Sequence, residues 1–201
     1  MPQFDRPTVV IFAKAPILGM VKTRLARTIG DAAALALYET LLLRTVEALK
    51  DQRWDTVIAA TPDETLEDDR YWPHGVRRIA QGGCDLGTRM FRPLKDARPS
   101  APIIIVGSDI PGLAKPQIEA ALDALKTRPY VFGPACDGGF YLVGASKEPS
   151  PAIFRDVEWS AETTLKQVLA NLPHGSAKMI ETLDDLDDAA SLERHRKSGR
   201  L

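Results

Sequence analysis

The chain has 201 residues, with 26 Lys and Arg against 27 Asp and Glu, a formal charge of −1. That length suits one domain with a substantial core, and the balanced charge gives no global field for nucleic acid or an anionic membrane, so any anion site must be local. Two cysteines, Cys84 and Cys136, lack metal-ligand spacing and are too few for a secreted disulfide framework, so free thiols are expected.

The opening apolar run is far too short for a signal peptide or a membrane span, and a cytoplasmic protein is expected. Thr8 to Ala13 (TVVIFA) is a short β-branched run that reads as the first strand. Pro16 and Gly19 forbid a continuous helix from Lys14, so KAPILGMVKTRLA reads as a loop carrying Lys14, Lys22 and Arg24. From Asp31 to Leu49 apolar residues recur at helical spacing, with Asp31 as cap. Thr56 to Ala60 is the next strand, completing a βαβ unit with a right-handed crossover, which selects a doubly wound α/β class.

Thr61 to His74 has no clear period and reads as a loop with one helical turn. Val76 to Ala80 is a short strand leading into QGGCDLG, a glycine-rich loop that opens a helix and can present backbone N–H groups to an anion or a base edge, though for this loop alone a plain turn with a glycine cap is the better reading. Ile103 to Gly107 (IIIVG) is an unbroken apolar run suited to a central strand buried on both faces. It stops at Gly107-Ser108-Asp109, placing a carboxylate where a parallel strand leaves the sheet; ligands bind there in open α/β sheets. Pro116 fits the first turn of a helix reaching about Lys126.

Tyr130 to Gly133 and Phe140 to Ala145 read as strands joined by the tight turn Pro134 to Gly139, an antiparallel ribbon that would break the parallel order. Alternation puts Phe140, Leu142 and Gly144 on one side of that strand and Tyr141 and Val143 on the other. Ala161 to Leu172 reads as a helix and Lys178 to Leu183 as the last strand. Acidic residues from Asp184 to Asp188 precede a final helix and complement its dipole, so only one of those four aspartates is expected in a site.

Cationic and anionic loops at strand ends together favour phosphate chemistry, since Lys and Arg neutralise phosphate oxygens while carboxylates hold a divalent cation against them. The chain has no GxxxxGK[ST] and no GxGxxG after its first strand. Ser108 lacks the flanks of a nucleophile elbow. His74, His174 and His195 stand in polar, loop-like or terminal settings and read as solvated, so no His-based catalysis or metal site is expected.

The segments FAKAPILGMVKTRLA, GSDIPGL, PACDGGFYLVGA and DDLDDAASL, in this order, resemble a bacterial family of glycosyltransferase-A-fold, nucleotide-diphospho-sugar transferase-like proteins. Some of its members are named arsenosugar-biosynthesis glycosyltransferases, and the family is similar in turn to the guanylyltransferases that activate 2-phospholactate or the molybdenum cofactor. The resemblance implies a single domain with a mostly parallel sheet and helices on both faces. It also implies that Lys14, Lys22 and Arg24 meet phosphates, that Gln81, Gly82 and Gly83 edge the base, and that Asp109 is a ligand of Mg²⁺ or Mn²⁺. Asp187 matches a second metal carboxylate of the nucleotidyltransferase relatives, although Asp188 stands where they carry Thr. The chain also lacks the GGxGxRM loop of sugar-nucleotide pyrophosphorylases.

The activity expected from this is transfer from a nucleotide-activated sugar to a small-molecule acceptor. Asp109, Lys22 and Arg24 would stabilise the leaving diphosphate. Asp137 stands in a turn whose glycines, Gly138 and Gly139, permit positive φ or a close approach of ligand to backbone, and it is placed at the acceptor side as base or acceptor clamp, with metal contact as the lesser alternative. Nucleotidyl transfer to a phosphorylated acceptor and non-catalytic nucleotide binding remain alternatives that the same residues would serve.

Overall fold

The structure, a computed structural model, describes residues 4–199. Seven strands form one sheet: β1 (Thr8–Lys14), β2 (Asp55–Thr61), β3 (Arg77–Ala80), β4 (Ile103–Gly107), β5 (Tyr130–Pro134), β6 (Phe140–Ala145) and β7 (Ala177–Met179). Their spatial order is β3-β2-β1-β4-β6-β5-β7. Every pairing is parallel except those of β6, which runs antiparallel to both β4 and β5. The apolar run at 103–106 is the centre of the sheet, buried on both faces, as its unbroken Ile and Val content requires.

Helices α1 (Thr23–Ile29), α2 (Asp31–Leu49), α3 (Leu86–Leu94), α4 (Lys115–Leu125), α5 (Thr164–Ala170) and α6 (Ala189–Lys197) complete the chain. Strand alternation divides the core in two. Val9, Ile11, Ile58, Ile104 and Val106 face α2 and α4 through Leu42, Val46 and Ile118. Val10, Val57, Ile103 and Ile105 face α3 and α5 through Met90, Leu94 and Val168. A third cluster, Leu25, Leu41, Leu186 and Leu192, joins α1 and α2 to α6.

Five sequence expectations need correction. Asp31 is the first residue of α2 and not its cap, which is Gly30. The stretch after Gly19 is not all loop: the Pro16 and Gly19 breakers act only before Lys22, and α1 forms beyond them from Thr23, carrying Arg24. The last strand is only Ala177–Met179, with Leu183 rejoining the sheet as an isolated bridge to Ala135. The helix expected from Ala161 starts at Thr164, because the Thr164 hydroxyl binds the carbonyls of Glu158 and Ala161 and shapes a turn there. His195 is buried, not solvated, lying 3.7 Å from the Asp184 carboxylate, whose oxygens also accept from Arg194.

Strict alternation also fails in β6. Leu142 pairs with Gly133 and Phe140 with Pro134, so Tyr141 is the extra residue of a β-bulge. The bulge turns Tyr141 onto the α2/α4 side and Phe140 onto the α3/α5 side, the reverse of their alternating places. Tyr141 then lies across Gly133, where a Cβ would meet its ring at 2.4 Å.

The turn after β5 is fixed by Gly138, whose φ of 86° suits glycine and whose carbonyl accepts from Leu165 N–H at 3.1 Å. A Cβ there would stand 2.2 Å from the Glu162 carbonyl oxygen. Strain and steric conflict together predict that Gly138→Ala costs about 2 kcal/mol or more and lowers Tm by roughly 4–8 °C in thermal unfolding. Gly83→Ala, at a position with open space and no positive φ, should leave Tm nearly unchanged.

Candidate active site

The site is built at the C-terminal ends of β1 and β4. The loop after β1 is anchored by buried Ala15 and Val21 and by Ala15 N–H donating to the Thr61 carbonyl at 2.7 Å. Lys22 closes the loop in the left-handed region, φ 48° and ψ 40°, an uncommon conformation for a non-glycine residue that marks a constrained position. Its side chain, 4% exposed, donates from Nζ to Asp109 and, at 2.9 Å, to Asp187 Oδ1. Burial by itself would lower the Lys22 pKa, but the Asp109 and Asp187 carboxylates outweigh it and hold the ammonium above its ordinary value.

Asp187 reaches this point because the segment before α6 is tightly tied. Leu186 is fully buried, and its N–H donates to the Asp109 carbonyl at 3.2 Å. Ser191 Oγ accepts from the N–H groups of Asp187 and Asp188, and the Asp188 carboxylate caps α6 by accepting from Ser191 N–H at 2.8 Å. Asp184 pairs with Arg194. The acidic stretch therefore divides its work: Asp184 and Asp188 serve structure, while Asp185 and Asp187 both line cavities, one more residue than expected from sequence.

Tyr38 on α2 braces the floor. Its hydroxyl donates to the Lys14 carbonyl and accepts from Lys14 N–H, each at 2.9 Å, and lies 3.3 Å from Ser108 Oγ. Burial pushes its pKa up to about 12, the Ser108 contact opposing and the nearby Asp109 charge adding to the shift.

Two adjoining cavities open here. The first, of about 420 Å³, is lined by the cationic side chains Lys14, Lys22, Arg24 and Arg89. The second, of about 290 Å³, holds Asp137, Asp185, Met90, Phe140 and Trp159. Phe12, Leu86, Asp109 and Asp187 belong to both, so the two carboxylates on Lys22 form the shared wall.

The structure thus brings together Lys14, Lys22, Arg24, Gln81, Asp109 and Asp187 in the first cavity and Asp137 with the last two in the second. Gln81 lines its cavity with its amide already engaged: Nε2 donates to the carbonyls of Ala13 and Ala59, and Oε1 accepts from Arg89. Gly82 and Gly83 are outside the lining; Gly82 N–H donates to Asp63 Oδ1 at 3.0 Å and the Arg92 guanidinium covers its Cα. Sequence reasoning missed Arg89, whose Nε is buried without a hydrogen-bond partner, and Asp185. A base in the first turn of a helix opened by a glycine-rich loop was the available signal for Arg89. Burial, then the charges of Asp187, Asp137 and Asp109, raise the Asp185 pKa to about 6. Cys84 and Cys136 are free and exposed.

Residues 42–161 match the family described as "Uncharacterized protein conserved in bacteria" (DUF2064). The chain belongs to that family. A protein from Desulfovibrio desulfuricans G20 described as a "putative nucleotide-diphospho-sugar transferase" superposes with a TM-score of 0.84 at 25% identity, over 96% of this chain and 87% of that one. CMP:2-keto-3-deoxy-manno-octonic acid synthetase complexed with CTP gives a TM-score of 0.56 at 12% identity, over 96% and 98%. Rv0371C of Mycobacterium tuberculosis H37Rv, in complex with manganese, gives 0.53 at 12% identity, over 96% and 99%. No curated protein matches the chain. The fold is that of the nucleotide-diphospho-sugar transferases, as the sequence resemblance implied. Among the described residues no helix is long and apolar enough to cross a membrane.

Tyr38→Phe should leave both Lys14 backbone groups without their side-chain partner and lower stability by about 1–3 kcal/mol, read as a shifted urea midpoint with an unchanged m-value.

Proposed function

We propose that the chain is a transferase that binds a nucleotide-activated sugar in the cationic cavity and an acceptor in the neighbouring one. The observation that carries this reading is the pair of oppositely charged cavities meeting at Asp109 and Asp187. The donor diphosphate would take charge-assisted hydrogen bonds from Lys14, Lys22, Arg24 and Arg89, which neutralise the leaving group as its bond to the sugar breaks. The likeness to the Desulfovibrio protein supports the donor class.

Among the described residues no group of three metal-ligating side chains is assembled. Asp109 and Asp187 nevertheless converge on one cation, the Lys22 ammonium, and two hard carboxylates suit Mg²⁺ or Mn²⁺ when substrate phosphates complete the shell. Those two residues would hold the ion, which supplies charge neutralisation at the diphosphate. The Mycobacterium structure of the same fold was obtained with manganese. Asp137 would receive the acceptor proton: one oxygen accepts Gly139 N–H at 2.8 Å, which orients the carboxylate and leaves the other oxygen for a hydroxyl.

The test is a thermal-shift panel of nucleoside diphosphates, nucleoside triphosphates and nucleotide sugars with and without Mn²⁺, since a ligand that binds the native state at a hundredfold over its Kd adds about 2.7 kcal/mol of apparent stability. Asp109→Asn should keep the fold and abolish the metal-dependent part of the shift. Lys22→Ala and Arg24→Ala should each weaken diphosphate binding by about 1.5–3 kcal/mol while leaving nucleoside binding little changed; diphosphate affinity equal to that of the parent would remove the cationic loop from the site. Release of nucleoside diphosphate rather than pyrophosphate identifies sugar transfer over nucleotidyl transfer.

Asp137→Ala separates the second cavity from the first. Donor and metal binding should remain within about twofold, while turnover falls at least a hundredfold, the range expected for loss of a general base. Equal loss of donor binding would place Asp137 with the metal ligands instead.

A further inference from the structure

The second cavity constrains the acceptor. Its charged lining consists of Asp109, Asp137, Asp185 and Asp187, and among the described residues no Lys, Arg or His lines it. The contrast with the adjoining cavity, which gathers four cations, is abrupt. Asp184 and Asp188 are accounted for by Arg194 and by the cap of α6, but Asp185 is half-buried at the cavity and takes part in no ion pair among the described residues. Even if a divalent ion compensated Asp109 and Asp187, Asp137 and Asp185 would still face the acceptor unneutralised.

The apolar part of the lining is equally specific. Trp159 packs edge-to-face with Phe140, at a centroid distance of 6.5 Å, and tilted against Phe154, at 5.8 Å, and Met90 completes the wall. Fixed aromatic surface beside carboxylates accepts the C–H face of a polyol or a carbon skeleton while the acids take its hydroxyl protons. A phosphate ester has the opposite needs, since recognition of its oxygens calls for Arg, Lys or a helix N-terminus.

We infer that the acceptor is an alcohol that carries no anionic group and presents an apolar face to Phe140 and Trp159. This inference rests on the sugar-transfer reading and deepens it: the acceptor O–H gives its proton to Asp137, its oxygen bonds to the anomeric carbon, and the bond from that carbon to the diphosphate oxygen breaks with the electron pair leaving on the nucleoside diphosphate. Nucleotidyl transfer onto a phosphorylated acceptor would bring further negative charge into the acidic cavity, which this lining opposes.

The test presents matched pairs, glucose with glucose 6-phosphate, glycerol with glycerol 3-phosphate, and inositol with inositol 1-phosphate, to the full chain with Mn²⁺ and the nucleotide sugar that gives the largest thermal shift. Nucleoside diphosphate release measures transfer, and tryptophan fluorescence measures binding, with Trp159→Phe identifying the signal of this cavity. The expected result is that an unphosphorylated member acts at least tenfold better than its ester, and that Asp185→Asn, checked for an unchanged Tm, narrows that ratio. Equal or better use of the esters overturns the inference, as does silence from both members of every pair in both readouts. Failure of every nucleoside diphosphate and nucleotide sugar to shift Tm would instead overturn the donor reading, so the two failures are distinguishable.

Discussion

One buried ammonium holds the site together. Lys22 Nζ ties the loop after β1 to the end of β4 through Asp109 and to the segment before α6 through Asp187, positions up to 165 residues apart. A lysine with so little contact with water is tolerated because two carboxylates face it, and they in turn are kept apart by it. The backbone is shaped to the same end: Lys22 sits in a left-handed conformation at the start of α1, and the Leu25, Leu41, Leu186 and Leu192 cluster joins α1 and α2 to the segment that carries Asp187.

The division into two cavities follows from a single reversal in the sheet. If β6 ran parallel to β4, the turn after β5 would have no reason to lie beside the end of β4. Because β6 runs antiparallel between β4 and β5, the turn from Pro134 to Gly139 emerges at the same edge as Asp109 and brings Asp137 with it. The Ala135–Leu183 bridge and the bond from Cys136 N–H to the Leu183 carbonyl, 3.1 Å, then place the acidic segment alongside. The bulge at Tyr141 gives the α3/α5 side Phe140, which becomes part of the aromatic wall.

Most of the sheet was legible because its signals are local. The Ile103 to Val106 run, the β-branched stretches of β1 and β2 and the long apolar period of α2 each declare their element within a few residues. The motif resemblance likewise singled out Lys22, Asp109 and Asp187, and the glycine turn singled out Asp137, all of which line the two cavities. What escaped is non-local. No pattern within β6 announces a bulge that depends on the register against Gly133. His195 looked solvated because its basic neighbours are polar, and only the fold reveals that its own face turns inward beside Asp184. Arg89 and Asp185 were missed for a related reason: an acid before a helix has an ordinary capping explanation and an arginine on a helix an ordinary solvated one, and only the cavities single out those that line an open space.

The separation of Lys22 from Asp187 has a consequence for how the molecule is made. During synthesis from the N-terminus the strands β1, β2 and β4 are complete well before the segment carrying Asp187 leaves the ribosome. Until then the lysine faces one acid instead of two, and Leu25 and Leu41 lack the cover of Leu186 and Leu192. The nascent sheet can therefore fold around an unfinished pocket, and docking of α6 is the step that both seals the leucine cluster and completes the charge balance. A chain halted before that step has no second carboxylate to present to the lysine.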